Sequence, residues 1–157
     1  MNPFDLSNKV ICVTGASSGI GRQCAVSCSR MGATVVLLAR NEQRLHETLS
    51  IMDNPDKHVI IPVDLTEYAT VELVVKNIVS QVGRISGVLH CAGISTTLPL
   101  KLVTPEKLDE FFQANVFSAY NLTREVCKMG NFSKEGGSIV FFSSVMGKVG
   151  ENGKSLY

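Results

Sequence analysis

The stretch Thr14-Gly15-Ala16-Ser17-Ser18-Gly19-Ile20-Gly21 places three glycines in a G-x-x-x-G-x-G spacing. A β-rich run at 9–13 precedes it and apolar residues then recur at helical spacing, so the glycines lie where a strand turns into a helix. By analogy with dinucleotide-binding turns, Gly15 permits the tight bend, Gly19 lets a pyrophosphate approach the backbone, and Gly21 lets the helix pack close to the strand. The N–H groups of the helix N-terminus would bind the phosphates. A loop that binds nothing is the alternative, but the flanking strand and helix favour a cofactor site.

Composition limits the classes of protein and partner. The chain has 157 residues, 45% hydrophobic and 18% charged, which suits a single globular domain over 1–157. A net charge of +1 argues against a nucleic-acid partner, and no apolar run is long enough to span a membrane. The expected partners are therefore small molecules or further copies of the chain. The start lacks signal-peptide features, and five cysteines at no metal-like spacing fit a reducing compartment, so we expect a cytoplasmic protein without a metal site.

Apolar runs alternate with amphipathic stretches along the whole chain. Strands are predicted near 9–14, 34–39, 58–63, 86–91 and 137–143, and helices near 20–31, 41–52, 66–82 and 105–130. Such alternation is typical of an α/β, doubly wound fold with a parallel sheet covered by helices on both faces. Asn41 and Thr66 are expected to cap the second and third helices, and Thr104 to cap the fourth.

The end of the second predicted strand carries information about the cofactor. Dinucleotide sites specific for NAD place an Asp or Glu about 20 residues beyond the glycines, where it binds the ribose 2′-hydroxyl. Here the positions are Ala39 and Arg40, so no carboxylate would repel a 2′-phosphate and a guanidinium could pair with it. Arg40 could equally be an ordinary solvated arginine. The missing acid and the added base together favour NADP over NAD.

Three segments of the chain match the motifs of one family. The turn at 14–21 resembles the cofactor turn of the short-chain dehydrogenase/reductase family. Val63-Asp64-Leu65-Thr66 resembles its adenine-contacting segment, and His90-Cys91-Ala92-Gly93 resembles its Asn-Asn-Ala-Gly strand end. The resemblance implies a Rossmann-like sheet of order 3-2-1-4-5. The residues that it assigns to the cofactor are Gly15, Ser17, Ser18, Gly19, Ile20, Gly21, Arg40, Asp64, Leu65, Cys91, Ala92 and Gly93.

Three single residues extend the resemblance to the catalytic machinery. Asn115 stands at the family's helix asparagine, and Ser144 and Tyr157, 13 residues apart, stand where the family has its catalytic pair. The resemblance implies an oxidoreductase that interconverts a ketone and a secondary alcohol with NADP(H). Tyr157 would donate the proton, Ser144 would orient the substrate oxygen, and Asn115 would hold a water in the proton path. The segment 137–157 is most similar to the 3-oxoacyl-acyl-carrier-protein reductases, which points to a 3-oxoacyl thioester as one substrate.

Two departures from the family pattern affect these expectations. His90 and Cys91 replace two asparagines, and His90 is predicted to be a hydrogen-bonded core histidine. The family also carries a lysine four residues after its tyrosine, beyond Tyr157. We therefore expect the chain to be a fragment or a truncated product, inactive and prone to aggregate alone, whereas the extended protein is a soluble homodimer or homotetramer. A non-catalytic NADP-binding domain is the alternative if the natural chain ends at Tyr157.

One further motif looks like a nucleotide site and is not. Gly153-Lys154-Ser155 resembles the end of a G-x-x-x-x-G-K-S phosphate-binding loop, but the first glycine of that loop would be residue 148, which is lysine. A nucleoside-triphosphatase is thereby excluded, and the motif has no function assigned to it from sequence.

Overall fold

A computed structural model describes residues 3–157, and its core is a five-stranded parallel sheet. The strands are β1 (Val10–Thr14), β2 (Thr34–Ala39), β3 (Val59–Pro62), β4 (Gly87–His90) and β5 (Ser138–Phe141). Their order across the sheet is β3-β2-β1-β4-β5, which confirms the predicted 3-2-1-4-5 topology. In the central register, Ile11 of β1 lies opposite Val35 of β2 on one side and Gly87 of β4 on the other.

Helices cover both faces of the sheet. They are α1 (Gly19–Arg30), α2 (Glu42–Ser50), α3 (Tyr68–Val82), α4 (Pro105–Phe112) and α5 (Ser118–Val126), and a π-helical segment, Gln113–Phe117, joins α4 to α5. Alternate residues of each strand point to opposite faces, so the sheet has two apolar cores. One core lies under α1 and α2 and includes Val13, Ala25 and Leu45. The other lies under α3 and α5 and includes Cys12, Val75 and Leu122.

Two helix caps are confirmed and one is wrong. The side chains of Asn41 and Thr104 accept hydrogen bonds from the amides three residues ahead, which fixes the starts of α2 and α4. Thr66 does not cap α3, which begins at Tyr68. Instead, the Thr66 hydroxyl and amide both donate to the Asp64 carboxylate, at 2.7 and 3.0 Å, in a local turn.

The predicted single helix over 105–130 is also corrected. It is interrupted by the π-helical segment and ends at Val126. Asn115 lies inside this segment, and its side-chain amide donates to the Ile94 carbonyl at 3.0 Å and accepts from the Ile94 amide at 2.7 Å. These two bonds join the segment to the chain that follows β4. Such π turns are frequently found at functional sites.

The topology places the predicted site residues at one edge of the sheet. Because the strands are parallel, their carboxyl ends share one edge, and the chain leaves that edge after Thr14, Ala39, Pro62, His90 and Phe141. The order of the strands reverses between β1 and β4, and ligands of such sheets bind in the crevice at this reversal. Within residues 3–157, no helix is long and apolar enough to cross a membrane.

Candidate active site

The glycine turn after β1 combines a tight bend, an open backbone position and close packing of α1. Gly15 has φ of 64°, and a Cβ there would lie 2.9 Å from the Ala92 Cα, so β1 and the chain after β4 approach closely. Gly19 has φ of 51°, and a Cβ at this position would have no atom within 4 Å, so the backbone is open to a ligand. A Cβ on Gly21 would lie 2.3 Å from the Gly15 carbonyl oxygen, so the helix packs directly on the turn. A side chain at Gly15 or Gly21 would therefore meet backbone atoms, whereas one at Gly19 would extend into open space.

The N-terminus of α1 is free to accept an anion. Ser18 precedes the helix in an extended conformation, its side chain makes no capping hydrogen bond, and the first turn contains no acidic residue. The partial positive charge of the first N–H groups is therefore uncompensated by the protein. Ile20, in the same turn, is 60% exposed beside it. The residues present fit the phosphates of a dinucleotide.

A set of hydrogen bonds braces this turn from α2. Arg22 donates to the Ser17 carbonyl at 2.7 Å and to the Thr48 hydroxyl at 3.0 Å. The Thr48 hydroxyl, fully buried, donates in turn to the Ala16 carbonyl at 2.9 Å. Arg22 also forms an ion pair with Glu47 at 3.2 Å. Sequence reasoning missed Arg22 and Thr48; the only signal was a polar threonine on the apolar face of α2.

Arg40 and Asp64 lie together at the ends of β2 and β3. The Arg40 guanidinium is 74% exposed and lies 3.8 Å from the Asp64 carboxylate. Partial burial acts to raise the pKa of Asp64, but hydrogen bonds from Thr66 and the charge of Arg40 outweigh it and hold the pKa below its usual value. Leu65 is buried beside this pair. The exposed guanidinium of Arg40 therefore lies at the carboxyl end of β2, where an anionic ligand could reach it.

The segment after β4 lines the crevice beside the glycine turn. The Ala92 amide donates to the Thr14 hydroxyl at 3.0 Å, which ties the segment to the end of β1. Gly93 is exposed, and a Cβ there would lie 3.1 Å from the Asn115 Oδ1. Cys91 is half-buried, and burial, with the neighbouring Cys24 thiol, raises its pKa to about 12, so it stays a neutral thiol.

His90 is a core residue, but only one of its nitrogens is paired. Its ring is 5% exposed, stacks on Phe141 with centroids 4.6 Å apart, and is hydrogen-bonded through Nε2 to the Thr123 hydroxyl at 2.9 Å. Nδ1 is buried without a partner among the residues that the structure describes. Burial lowers the pKa of His90 to about 4, so it is neutral near pH 7. The prediction of a hydrogen-bonded core histidine is thus correct for one nitrogen and wrong for the other.

Ser144 and Tyr157 lie in the chain that leaves β5. Ser144 is half-buried, and its hydroxyl oxygen accepts a hydrogen bond from the Met146 amide at 3.1 Å. Tyr157 is 47% exposed and lines a cavity of about 720 Å³ that Met146, Pro99 and Leu100 also line. Over residues 3–157, no hydrogen bond joins the Ser144 and Tyr157 side chains. In the same range there is no cluster of three His, Cys, Asp or Glu side chains that could hold a metal ion.

The comparison with known families matches nearly the whole chain. The model of the short chain dehydrogenase family matches residues 9–157, from the first strand to Tyr157. The chain belongs to the short-chain dehydrogenase/reductase family. The predicted membership of that family is thereby confirmed.

Individual relatives are longer than this chain. It is 32% identical to the uncharacterized oxidoreductase YciK of Escherichia coli over 97% of the chain and 62% of that protein. It is 30% identical to the 3-dehydrosphinganine reductase of Danio rerio over 99% of the chain and 48% of that protein. The chain therefore spans between about half and three fifths of the length of these relatives.

Solved structures of short-chain dehydrogenases share the fold. A short-chain dehydrogenase from Salmonella enterica serovar Typhi superimposes with a TM-score of 0.86 at 34% identity, covering 97% of this chain and 64% of that one. A dehydrogenase from Shigella flexneri, solved in complex with NADP, has a TM-score of 0.86 at 33% identity, covering 97% of this chain and 65% of that one.

Proposed function

We propose that the protein carrying this chain is an NADP(H)-dependent oxidoreductase that interconverts a ketone and a secondary alcohol. The observation that carries the proposal is the open glycine turn at the N-terminus of α1, which follows β1 at the same carboxyl edge of the sheet that the Ser144–Tyr157 chain leaves after β5. A turn of this form binds phosphate through backbone N–H groups, and a phenol at a cavity wall is a proton donor for a carbonyl. The nicotinamide of the bound cofactor supplies or accepts the hydride.

Arg40 supports NADP as the cofactor. Its guanidinium is exposed, and its only carboxylate partner among residues 3–157 is Asp64, 3.8 Å away. An exposed ion pair of this length is worth about 0–1 kcal/mol, so it competes weakly with a phosphate that can be bound through two parallel hydrogen bonds. The 2′-phosphate of NADP is such a group, and NAD lacks it. The position at the end of β2 where an Asp or Glu would select NAD is occupied by Ala39.

Each catalytic residue has a distinct part in the proposed reaction. Tyr157 gives its phenolic proton to the oxygen of the ketone as that oxygen gains negative charge. The Ser144 hydroxyl oxygen accepts a hydrogen bond from the Met146 amide, and its hydroxyl proton is available to donate a hydrogen bond to the same substrate oxygen. We propose that Asn115 holds a water in the proton path, and two hydrogen bonds between its side chain and Ile94 fix the position of this residue.

The substrate class can be narrowed one step further. The segment between Ser144 and Tyr157 contains Gly147, Gly150 and Gly153, as in the 3-oxoacyl-acyl-carrier-protein reductases, and we infer a 3-oxoacyl thioester as one candidate ketone. A built Cβ on Gly147 or Gly150 meets no atom within 4 Å, so both positions could take larger residues without a clash. The spacing of the three glycines is therefore weaker support for a 3-oxoacyl thioester than Ser144 and Tyr157 are for a ketone substrate in general.

Self-association is the proposed partner interaction, and a small-molecule ketone or alcohol is the proposed ligand. Leu108, Phe112, Val116 and Tyr120 are each between 43% and 65% exposed along α4, the π segment and α5. In water this apolar stripe favours contact with a second copy. Residues 1–157 expressed alone would show no turnover, because the family's lysine four residues after the tyrosine is outside them. Cytoplasmic location stays a prediction from the sequence.

Substitution of Tyr157 in the full-length protein tests the proposed reaction. We expect Tyr157→Phe to lower the rate of NADPH oxidation with a panel of ketones about 10²- to 10⁴-fold, because the proton donor is lost. NADPH binding, measured by fluorescence titration, should stay within twofold. Tyr68→Phe is the matched control, since Tyr68 is 51% exposed on α3, lies outside the cavity and is not part of the proposed self-association stripe. Ketone reduction by Tyr157→Phe at the wild-type rate would show that another group donates the proton. A wild type that binds NADPH and reduces no ketone would support the non-catalytic alternative.

A further inference from the structure

The segment that ends in Tyr157 is fastened to the chain that follows β4. The Leu98 amide donates to the Gly153 carbonyl at 2.8 Å. The Lys154 ammonium donates to the Thr97 hydroxyl at 2.8 Å and to the Thr96 carbonyl at 3.4 Å. These three bonds connect two parts of the chain that are about 57 residues apart. We call this set of contacts the Lys154 latch.

Glycine at position 153 makes the close approach possible. Gly153 has φ of 77°, and a Cβ there would lie 2.9 Å from the Thr97 methyl carbon and 3.3 Å from the Leu98 nitrogen. A larger residue would push the two segments apart and lengthen the hydrogen bond between them. Gly153 and Lys154 of the Gly153-Lys154-Ser155 motif therefore both contribute to the contact between these two segments. This contact gives the motif a structural role, although it does not form a phosphate-binding loop.

The Lys154 charge is not part of an ion pair. Over residues 3–157, no carboxylate lies within 4.0 Å of its ammonium, and the acceptors that it uses are a hydroxyl and a carbonyl. Hydrogen bonds from a charged donor are roughly twice as strong as those between neutral groups. Lys154 is therefore suited to holding Thr97 in place, and its side chain is directed toward the loop after β4 and not toward an acidic neighbour.

The backbone of Lys154 relates the latch to Tyr157. The Tyr157 amide donates to the Lys154 carbonyl at 3.1 Å, which closes a turn between the two residues. Lys154 thus binds Tyr157 through its main chain and Thr97 through its side chain. Both segments line the same cavity of about 720 Å³, to which one contributes Pro99 and Leu100 and the other contributes Tyr157. The latch therefore joins the two segments that form this cavity.

We propose that Lys154 is a positioning residue for Tyr157, acting through Thr97 to hold the phenol at the correct place in the cavity. The inference rests on the proposed reductase function, in which Tyr157 donates the proton. Loss of the latch lets the Tyr157 segment move away from the wall formed by Pro99 and Leu100. A displacement of about 1 Å from the reactive geometry can cost about 10²-fold in rate. Cofactor binding, which depends on the glycine turn and Arg40, is separate from the latch.

The test uses Lys154→Met, Thr97→Val and the double variant in the full-length protein. We expect each single variant to lower kcat about 10- to 100-fold, with NADPH affinity unchanged within twofold. The double variant should be no slower than the slower single variant, because both substitutions remove one interaction. Lys154→Arg, which keeps a charged donor, should retain kcat within about fivefold. Lys148→Met is the control, since Lys148 is exposed and forms no ion pair within residues 3–157.

Hydrogen exchange provides a readout that does not depend on turnover. The Leu98 amide should exchange faster in Lys154→Met and in Thr97→Val than in wild type and Lys148→Met, because its bond to Gly153 is weakened. Wild-type kcat in both single variants, or additive losses in the double variant, would overturn the positioning role. Equal losses of kcat and NADPH affinity would also overturn it, since they indicate general unfolding. Failure of the proposed function is recognised separately, by a Tyr157→Phe variant that remains active.

Discussion

Gly21→Ala is the substitution for which the structure gives the most direct prediction. A Cβ at this position would lie 2.3 Å from the Gly15 carbonyl oxygen and 2.6 Å from the Gly15 carbonyl carbon. Separations under 3.0 Å are essentially never seen for a real Cβ, so the helix and the turn must move apart by several tenths of an ångström or more. Both atoms belong to the backbone and have no rotamer to change. Forced overpacking of this kind costs about 1–3 kcal/mol in free energy of unfolding.

Two other glycines serve as graded controls. Gly19→Ala places its Cβ in open space but at a φ of 51°, so it carries left-handed strain of about 1–2 kcal/mol and also occupies the space that the phosphates need. Gly150→Ala has neither a positive φ nor an atom within 4 Å, so we expect a change within about 0.5 kcal/mol. The three variants therefore separate a clash, a strained backbone and an unconstrained position.

Thermal unfolding with and without NADPH measures both consequences. For a protein of this size, about 1 kcal/mol corresponds to about 2–4 °C, so Gly21→Ala should melt about 2–12 °C below wild type. NADPH should raise the melting temperature of wild type and Gly150→Ala but not of Gly21→Ala or Gly19→Ala, because only the first two keep an intact turn. The reasoning is refuted if Gly21→Ala melts within 1 °C of wild type and binds NADPH with wild-type affinity.

Two further predictions concern Arg40 and His90. Arg40→Ala should weaken the binding of NADPH about 10- to 150-fold, because a charged hydrogen bond is lost, and should leave the binding of NADH nearly unchanged. Arg44→Ala, which removes an exposed arginine on α2, should change the affinity for neither cofactor. Equal losses of affinity for both cofactors in a fluorescence titration of Arg40→Ala would contradict this prediction. His90 has its pKa lowered by burial from 6.5 to about 4, so between these pH values the unfolded chain binds a proton that the folded chain does not, and the free energy of unfolding falls as pH falls. Between pH 7 and pH 5, the free energy of unfolding of wild type, measured by urea unfolding, should fall by about 2 kcal/mol more than that of His90→Asn. Parallel pH profiles for the two proteins would show that His90 does not cause the loss.

Local signals in the sequence were sufficient for most of the fold. The strands could be predicted because parallel strands buried on both faces are continuous apolar runs, such as the run that forms β2. The caps at Asn41 and Thr104 could be predicted because each side chain binds an amide only three residues ahead. Thr66 has the same chemistry, but Asp64 lies two residues before it and binds its hydroxyl and amide, so the competing local bond prevails.

The contacts that support the site could not be predicted in the same way. Arg22 reaches Thr48 across 26 positions, and Lys154 reaches Thr97 across 57. Each bond exists only because the fold brings together two parts of the chain that are far apart in sequence, α1 and α2 in the first case and two loops in the second. A motif search identifies the residues that contact a cofactor, since those lie on one short turn. The residues that brace that turn or position a catalytic side chain carry no such spacing.

The π segment between α4 and α5 interrupts the single helix that was predicted over 105–130. Leu108, Phe112, Val116 and Tyr120 recur every four residues, and all four are exposed. In a continuous α-helix of 3.6 residues per turn, a four-residue step drifts by about 40°, so three steps would carry Tyr120 about 120° away from Leu108. A wider π turn rotates less per residue and offsets this drift, which keeps the four side chains closer to one face. The same wider turn contains Asn115, whose amide is fixed by Ile94. A strict four-residue period therefore indicated a local departure from α-helical geometry, and that departure links the proposed self-association surface to the proposed catalytic asparagine.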